Sequence, residues 1–83
     1  MKQIEWTKRA LRQLRKIADQ RMRETIVDAV ATLKQFPNCA NIKKLTARNQ
    51  YRLRVARYRV IFTEQLTVLY IEEVLKRNER TYS

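Results

Sequence analysis

From Tyr51 to Phe62 the chain alternates apolar and basic residues with a period of two, broken once in the middle. The run is Tyr51-Arg52-Leu53-Arg54-Val55, then Ala56-Arg57, then Tyr58-Arg59-Val60-Ile61-Phe62. Successive side chains of a strand point to opposite faces of a sheet, so the pattern predicts two strands, each apolar on one side. Taking Ala56-Arg57 as the hairpin break sets the register. Val55 then lies opposite Tyr58, Leu53 opposite Val60, Arg52 opposite Ile61 and Arg54 opposite Arg59. Tyr51, Leu53, Val55, Tyr58, Val60 and Phe62 fall on one face, and Arg52, Arg54 and Arg59 on the other. An odd-length loop would break this arrangement.

Like charges set directly opposite one another cost roughly 0.2–1 kcal/mol per pair. Folding gains nothing from that cost, which points to a ligand. The hairpin lies in a stretch from Ala29 to Thr63 without a single Asp or Glu, in an 83-residue chain of net charge +11. Such a face repels itself and calls for an anion. The plainer alternative is a solvated face of a half-buried sheet. On these residues alone the ligand class stays open: RNA, DNA or an acidic protein.

What the chain lacks narrows the chemistry. It has no histidine, which excludes histidine acid–base work and histidine metal ligation. Its one cysteine, Cys39, can form neither an internal disulfide nor a cysteine metal cluster. It has no glycine, and so no phosphate-cradling Gly-rich loop. Left-handed turn positions then fall to Asn38, Asn41 and Asn49. No metal or small-molecule cofactor is expected. There is no long apolar run for a transmembrane helix, and Met1 to Trp6 lack the apolar core of a signal peptide. These features lead us to expect a complete, cytoplasmic protein without a membrane partner.

Eighty-three residues suit one small domain, taken as 1–83. Lys2 to Trp6 reads as a short strand, and Thr7 as the N-cap of an amphipathic helix from about Lys8 to Ala18. Its apolar positions are Leu11, Leu14 and Ala18, with Ile17 adjacent. Asp19 and Gln20 form a connector. A second helix carries Met22, Ile26, Val30 and Leu33, widened by Val27 and Ala29, and stops near Phe36 because Pro37 disfavours helix before it. A loop over Pro37–Asn41, a short strand Ile42–Thr46 and a turn Ala47–Gln50 lead into the strands Tyr51–Val55, Tyr58–Thr63 and Leu66–Glu72. Glu73 to Ser83 reads as a short helix or extended tail. A turn at Glu64-Gln65 would bring Tyr70 opposite Arg59, where an aromatic could stack a base beside the guanidinium groups. The order predicts an α+β domain: an N-terminal strand and an antiparallel helical hairpin packed on one face of a small antiparallel sheet.

The residues Tyr51-Arg52-Leu53-Arg54-Val55, Tyr58-Arg59-Val60-Ile61-Phe62, Lys76-Arg77 and Tyr82 resemble the RelE/HigB-type toxins of the RelE/ParE toxin–antitoxin superfamily. The resemblance covers nearly the whole chain. It implies a ribosome-dependent endonuclease that cuts mRNA in the ribosomal A site without a metal. In that chemistry a base deprotonates the ribose 2′-OH, an acid protonates the 5′-oxygen, and cations stabilise the charge at phosphorus. It further implies Arg59, Arg77 and Tyr82 as catalytic. Arg52, Arg54, Arg57, Lys43, Lys44, Tyr70 and Lys76 would contact RNA. A cognate antitoxin would be the protein partner.

Arginine cannot give up its proton in practice, so Arg52 and Arg54 can clamp phosphate but cannot serve as the base. The resemblance leaves that role to Tyr82 first, then to Lys76, Glu79, Lys43 or Lys44. The alternative within the superfamily is a ParE-type inhibitor of DNA gyrase without nuclease activity. A non-enzymatic RNA-binding domain is a third possibility.

Overall fold

The computed structural model describes residues 1–47 and 49–77. Strand β1 (Gln3–Trp6) leads into helices α1 (Lys8–Arg15) and α2 (Gln20–Ala31). A 3-10 turn (Thr32–Gln35) follows, then strands β2 (Ile42–Lys44), β3 (Gln50–Val55), β4 (Tyr58–Gln65) and β5 (Val68–Lys76). The strands form one sheet in the order β1-β5-β4-β3-β2. The meander from β2 to β5 is antiparallel, while β1 joins the edge of β5 in parallel. The sheet is therefore mixed, because two helices intervene between β1 and the meander and carry the chain back to the same end.

Both helices begin on the caps that their sequences supply. The Thr7 hydroxyl accepts from the Ala10 amide at 3.1 Å and donates to the Ile71 carbonyl at 2.7 Å. One side chain thus caps α1 and ties it to β5. The Asp19 carboxylate accepts from the Arg21 and Met22 amides, which makes it the N-cap of α2 rather than a connector. Helix α1 ends at Arg15, short of the expected Ala18, and the Arg23 guanidinium binds the carbonyls of Ile17 and Ala18 beyond its end. Helix α2 tightens into the 3-10 turn before the Phe36-Pro37 bond, which accounts for the expected stop near Phe36.

Between helices and sheet lies one apolar core. Ala10, Leu14 and Ile17 enter it from the first helical segment, and Ile26, Val30 and Leu33 from the second. The inward face of α1 is thus rotated from the expected one: Ala10 is buried while Ala18 is exposed. Val27, expected to widen the stripe on α2, is likewise exposed. From the sheet come Leu53, Val55, Val60, Phe62, Leu69, Ile71 and Val74.

Turns without glycine force other residues into left-handed backbone. Of the three asparagines expected there, Asn41 and Asn49 take positive φ and Asn38 does not, while Ala56 (φ 52) and Leu66 (φ 55) do so without the tolerance of asparagine. The Leu66 side chain is 90% exposed and packs on nothing. Replacing it by asparagine should relieve steric cost without losing contacts. We expect Leu66→Asn to raise stability by about 1 kcal/mol, or roughly 4–8 °C in melting midpoint for a domain of this size. Thermal unfolding followed by circular dichroism checks this, and an unchanged or lower midpoint counts against it.

Candidate functional site

The Ala56-Arg57 hairpin has the register that the alternation predicts. Val55 pairs with Tyr58, Leu53 with Val60, Arg52 with Ile61 and Arg54 with Arg59. The apolar members face the helices. Arg52, Arg54 and Arg59 lie on the face away from them, and Lys43 joins through its pairing with Arg52. Ile61 is buried on this same face, outside the cluster that forms the main core.

Arg52 carries the most informative side chain here. It is half-buried, and its Nε is buried without a hydrogen-bond partner among the described residues. Leaving a buried donor unmade costs on the order of 1–3 kcal/mol, and more for a charged group. Asn41, Ile42, Lys43, Arg52 and Arg54 line a cavity of about 160 Å³ at the β2–β3 edge. Three of those five side chains are cationic and none is acidic, so the cavity is suited to an anion.

The remaining candidates separate. Lys44 points to the helix side, with its Nζ 5.2 Å from the centroid of the Tyr51 ring. Lys76 pairs with Tyr58, also on the helix side, and lines a cavity of about 430 Å³ with Gln13, Lys16 and Ile17. Arg57 is exposed in the turn, and its carbonyl accepts the backbone amide of Arg77 just past β5. Tyr82 and Glu79 lie outside the described residues. Cys39 is half-buried, and burial pushes its thiol up, away from the reactive thiolate.

Tyr70 requires a correction. It pairs with Thr63, not with Arg59, whose partner on β5 is Leu75. The β4–β5 turn falls at Leu66-Thr67 instead of Glu64-Gln65, and β5 runs on to Lys76 through residues expected in the tail. That shift places Tyr70 near the opposite end of the strand from the arginines.

The longer β5 brings a residue that the sequence pattern did not single out. A β-bulge interrupts the β4–β5 ladder, so that Ile61 pairs with Glu73 but Phe62 pairs with Ile71. Ile71 and Val74 both enter the core, although they are three residues apart. Strict alternation would expose one of them, and the bulge resolves the conflict. It leaves Glu73 on the arginine-bearing face, across from Ile61. The backbone here is held from α1: the Val74 amide donates to the Gln13 Oε1 at 2.7 Å. A row Lys43, Arg52, Ile61, Glu73 thus crosses four strands. Glu73 forms no ion pair among the described residues, where Lys2 to Glu64 is the pair observed. A stretch free of acids in sequence is therefore not free of acids in space. The i, i+3 spacing of Ile71 and Val74 inside a strand was the signal available for it.

Among the described residues, no three His, Cys, Asp or Glu side chains gather as a metal site, and no helix is long and apolar enough to cross a membrane.

The fold is shared with solved toxin structures. The archaeal RelE–RelB complex from Pyrococcus horikoshii OT3 superposes with a TM-score of 0.80 at 18% identity, covering 95% of this chain and 98% of that one. The intact Escherichia coli RelBE toxin–antitoxin complex gives 0.78 at 22% identity, covering 96% and 100%. The chromosomal ParDE system of Pseudomonas aeruginosa gives 0.78 at 18%, covering 92% and 96%. At such identities these matches speak for the fold. No curated protein matches the sequence significantly. The family profile described as "ParE toxin of type II toxin-antitoxin system, parDE" matches residues 4–81, nearly the entire length. With its strand, helical hairpin and meander in the arrangement of RelE toxins, the chain belongs to the ParE toxin family of type II toxin–antitoxin systems, within the RelE/ParE superfamily.

Proposed function

We propose that this toxin is a ribosome-dependent endoribonuclease that cuts mRNA in the A site by attack of a ribose 2′-OH on the adjacent phosphate. The observation that carries the proposal is the cationic face of β2, β3 and β4, and within it the buried, unpartnered Nε of Arg52. A phosphodiester backbone is the anion that suits the buried, unpartnered Nε of Arg52 and the cations beside it. Lys43, Arg52 and Arg54 hold flanking phosphates. Arg59, opposite Arg54, and Arg77, joined through its backbone to Arg57, stabilise charge at the scissile phosphorus. The guanidinium groups position and stabilise, and they take no proton.

The superposed RelE structures include complexes with RelB, which supports a cognate antitoxin as the protein partner here. An antitoxin that covers the arginines would silence the toxin without touching its fold. A ParE-type inhibitor of DNA gyrase is the second reading, and the family profile is what favours it. In that case the same cations meet acidic protein or DNA.

Induced expression separates the two. We expect growth arrest with transcripts cut within codons, only while ribosomes translate them, and gyrase supercoiling unaffected in a parallel assay. Intact transcripts together with failed supercoiling would overturn the nuclease proposal in favour of the second reading.

A further inference from the structure

The proposed cleavage needs a base, and arginine is unable to act as one at neutral pH. The bulge between β4 and β5 places a carboxylate on the cationic face that the chain order alone conceals. Adjacent strands lie about 4.8 Å apart, and diagonal cross-strand neighbours about 7–8 Å. Glu73 sits directly across from Ile61, and Arg59 is diagonal to it on β4. Arg52 lies one strand farther on, in the same row. A phosphate resting over the buried Ile61 is thus within reach of guanidinium groups from two strands, with a carboxylate at its border. Bulges recur where a strand must re-aim one side chain beside a site, and this one turns out Glu73 while keeping Val74 in the core.

We propose that Glu73 is the proton acceptor of the cleavage reaction, an inference that rests on the nuclease reading given above. A Glu73 carboxylate oxygen takes the proton of the 2′-OH. The 2′-oxygen forms a bond to phosphorus as the bond to the 5′-oxygen breaks, and that oxygen leaves with a proton from water. The products are a 2′,3′-cyclic phosphate and a 5′-hydroxyl, with no oxidant or metal consumed. The charged and titratable groups that face Glu73 are Lys43 on β2, Arg52 on β3, Arg59 on β4, Glu72 and Tyr70 on its own strand, and Glu5 on β1.

Single-turnover cleavage of a short mRNA on programmed ribosomes tests the assignment. Glu73→Gln, nearly isosteric, should lower the rate by roughly 10²–10⁴-fold, the contribution of a positioned general base. Ribosome affinity and melting midpoint should stay unchanged, and Glu73→Asp should recover part of the rate. Partial recovery in Glu73→Asp is the second readout, because a residue that only held the sheet would not depend on a carboxylate at this position. Cleavage by Glu73→Gln within threefold of the unmodified rate overturns the assignment of Glu73 and leaves the nuclease reading standing. An unmodified protein that inhibits gyrase and cuts nothing overturns both.

Discussion

Arg59→Ala is expected to cut the rate of transcript cleavage on programmed ribosomes by about 10²–10³-fold while the domain stays folded. Arg59 is half-buried on β4, directly across from Arg54. Its position is set by the ladder and not by a flexible loop, so the guanidinium group is held in place before substrate arrives. Removing one preorganised donor from a site of developing negative charge typically costs roughly 2.7–4 kcal/mol of transition-state stabilisation, which gives the expected range. The ladder itself survives, since Arg59 faces away from the core. Ribosome affinity should fall less than the rate, and its salt dependence should become shallower by about 0.7 in log–log slope, the value of one phosphate contact to single-stranded RNA. Arg59→Lys should restore the salt slope but little of the rate, because an ammonium cannot reproduce the bidentate fork. Cleavage at the unmodified rate in Arg59→Ala would remove Arg59 from the site.

The parts of this site that were legible in the sequence are the parts governed by local rules. A period-two run with one two-residue break permits a single hairpin register, and Arg54 meets Arg59 as that register demands. The cap at Thr7 is likewise local, whereas Asp19, read as a connector, caps α2. What could not be read is what tertiary packing decided. Strand β1 could not announce that its neighbour would be β5, or that it would run parallel to it. The β4–β5 turn sits at Leu66-Thr67, where a leucine takes φ 55. Left-handed turn positions favour Gly, Asn or Asp over leucine, so these residues carry no turn signal of their own. The spacing of Ile71 and Val74 resembles a helical interval more than a strand, and this hid both the bulge and Glu73.

These misplacements share a consequence. Moving the turn by two residues carried Tyr70 away from the arginines and brought Glu73 toward them. The face changed from cations with an aromatic to cations with a carboxylate. The first is a surface for stacking a base, whereas the second has the groups of an acid–base reaction. The chemistry of the face therefore rests on the β4–β5 register, and the register rests on what packs at the bulge.

Phe62 is the residue that packs there, and Phe62→Ala should be the most damaging single core substitution on this sheet. Its ring is fully buried, edge-on to Phe36 at 5.4 Å and stacked with Tyr51 at 5.5 Å between centroids. Truncating a buried phenylalanine typically costs 3–5 kcal/mol, and aromatic pairs add about 0.5–1.5 kcal/mol beyond their area. A domain of this size has roughly 4–12 kcal/mol in total. Phe62→Ala should therefore be largely unfolded near 37 °C, which urea titration at lower temperature can quantify. Phe62→Leu preserves most of the volume, and we expect it to cost less than about 1.5 kcal/mol. The two variants separate packing from register. Phe62 points inward while Ile61, on the other side of the bulge, points outward opposite Glu73. If any large apolar side chain suffices to hold that register, the cleavage rate of Phe62→Leu will follow its folded fraction. A protein that is folded but inactive would show that the aromatic cluster itself aims the face. A Phe62→Ala protein melting within a few degrees of the unmodified chain would contradict the central place given to this ring.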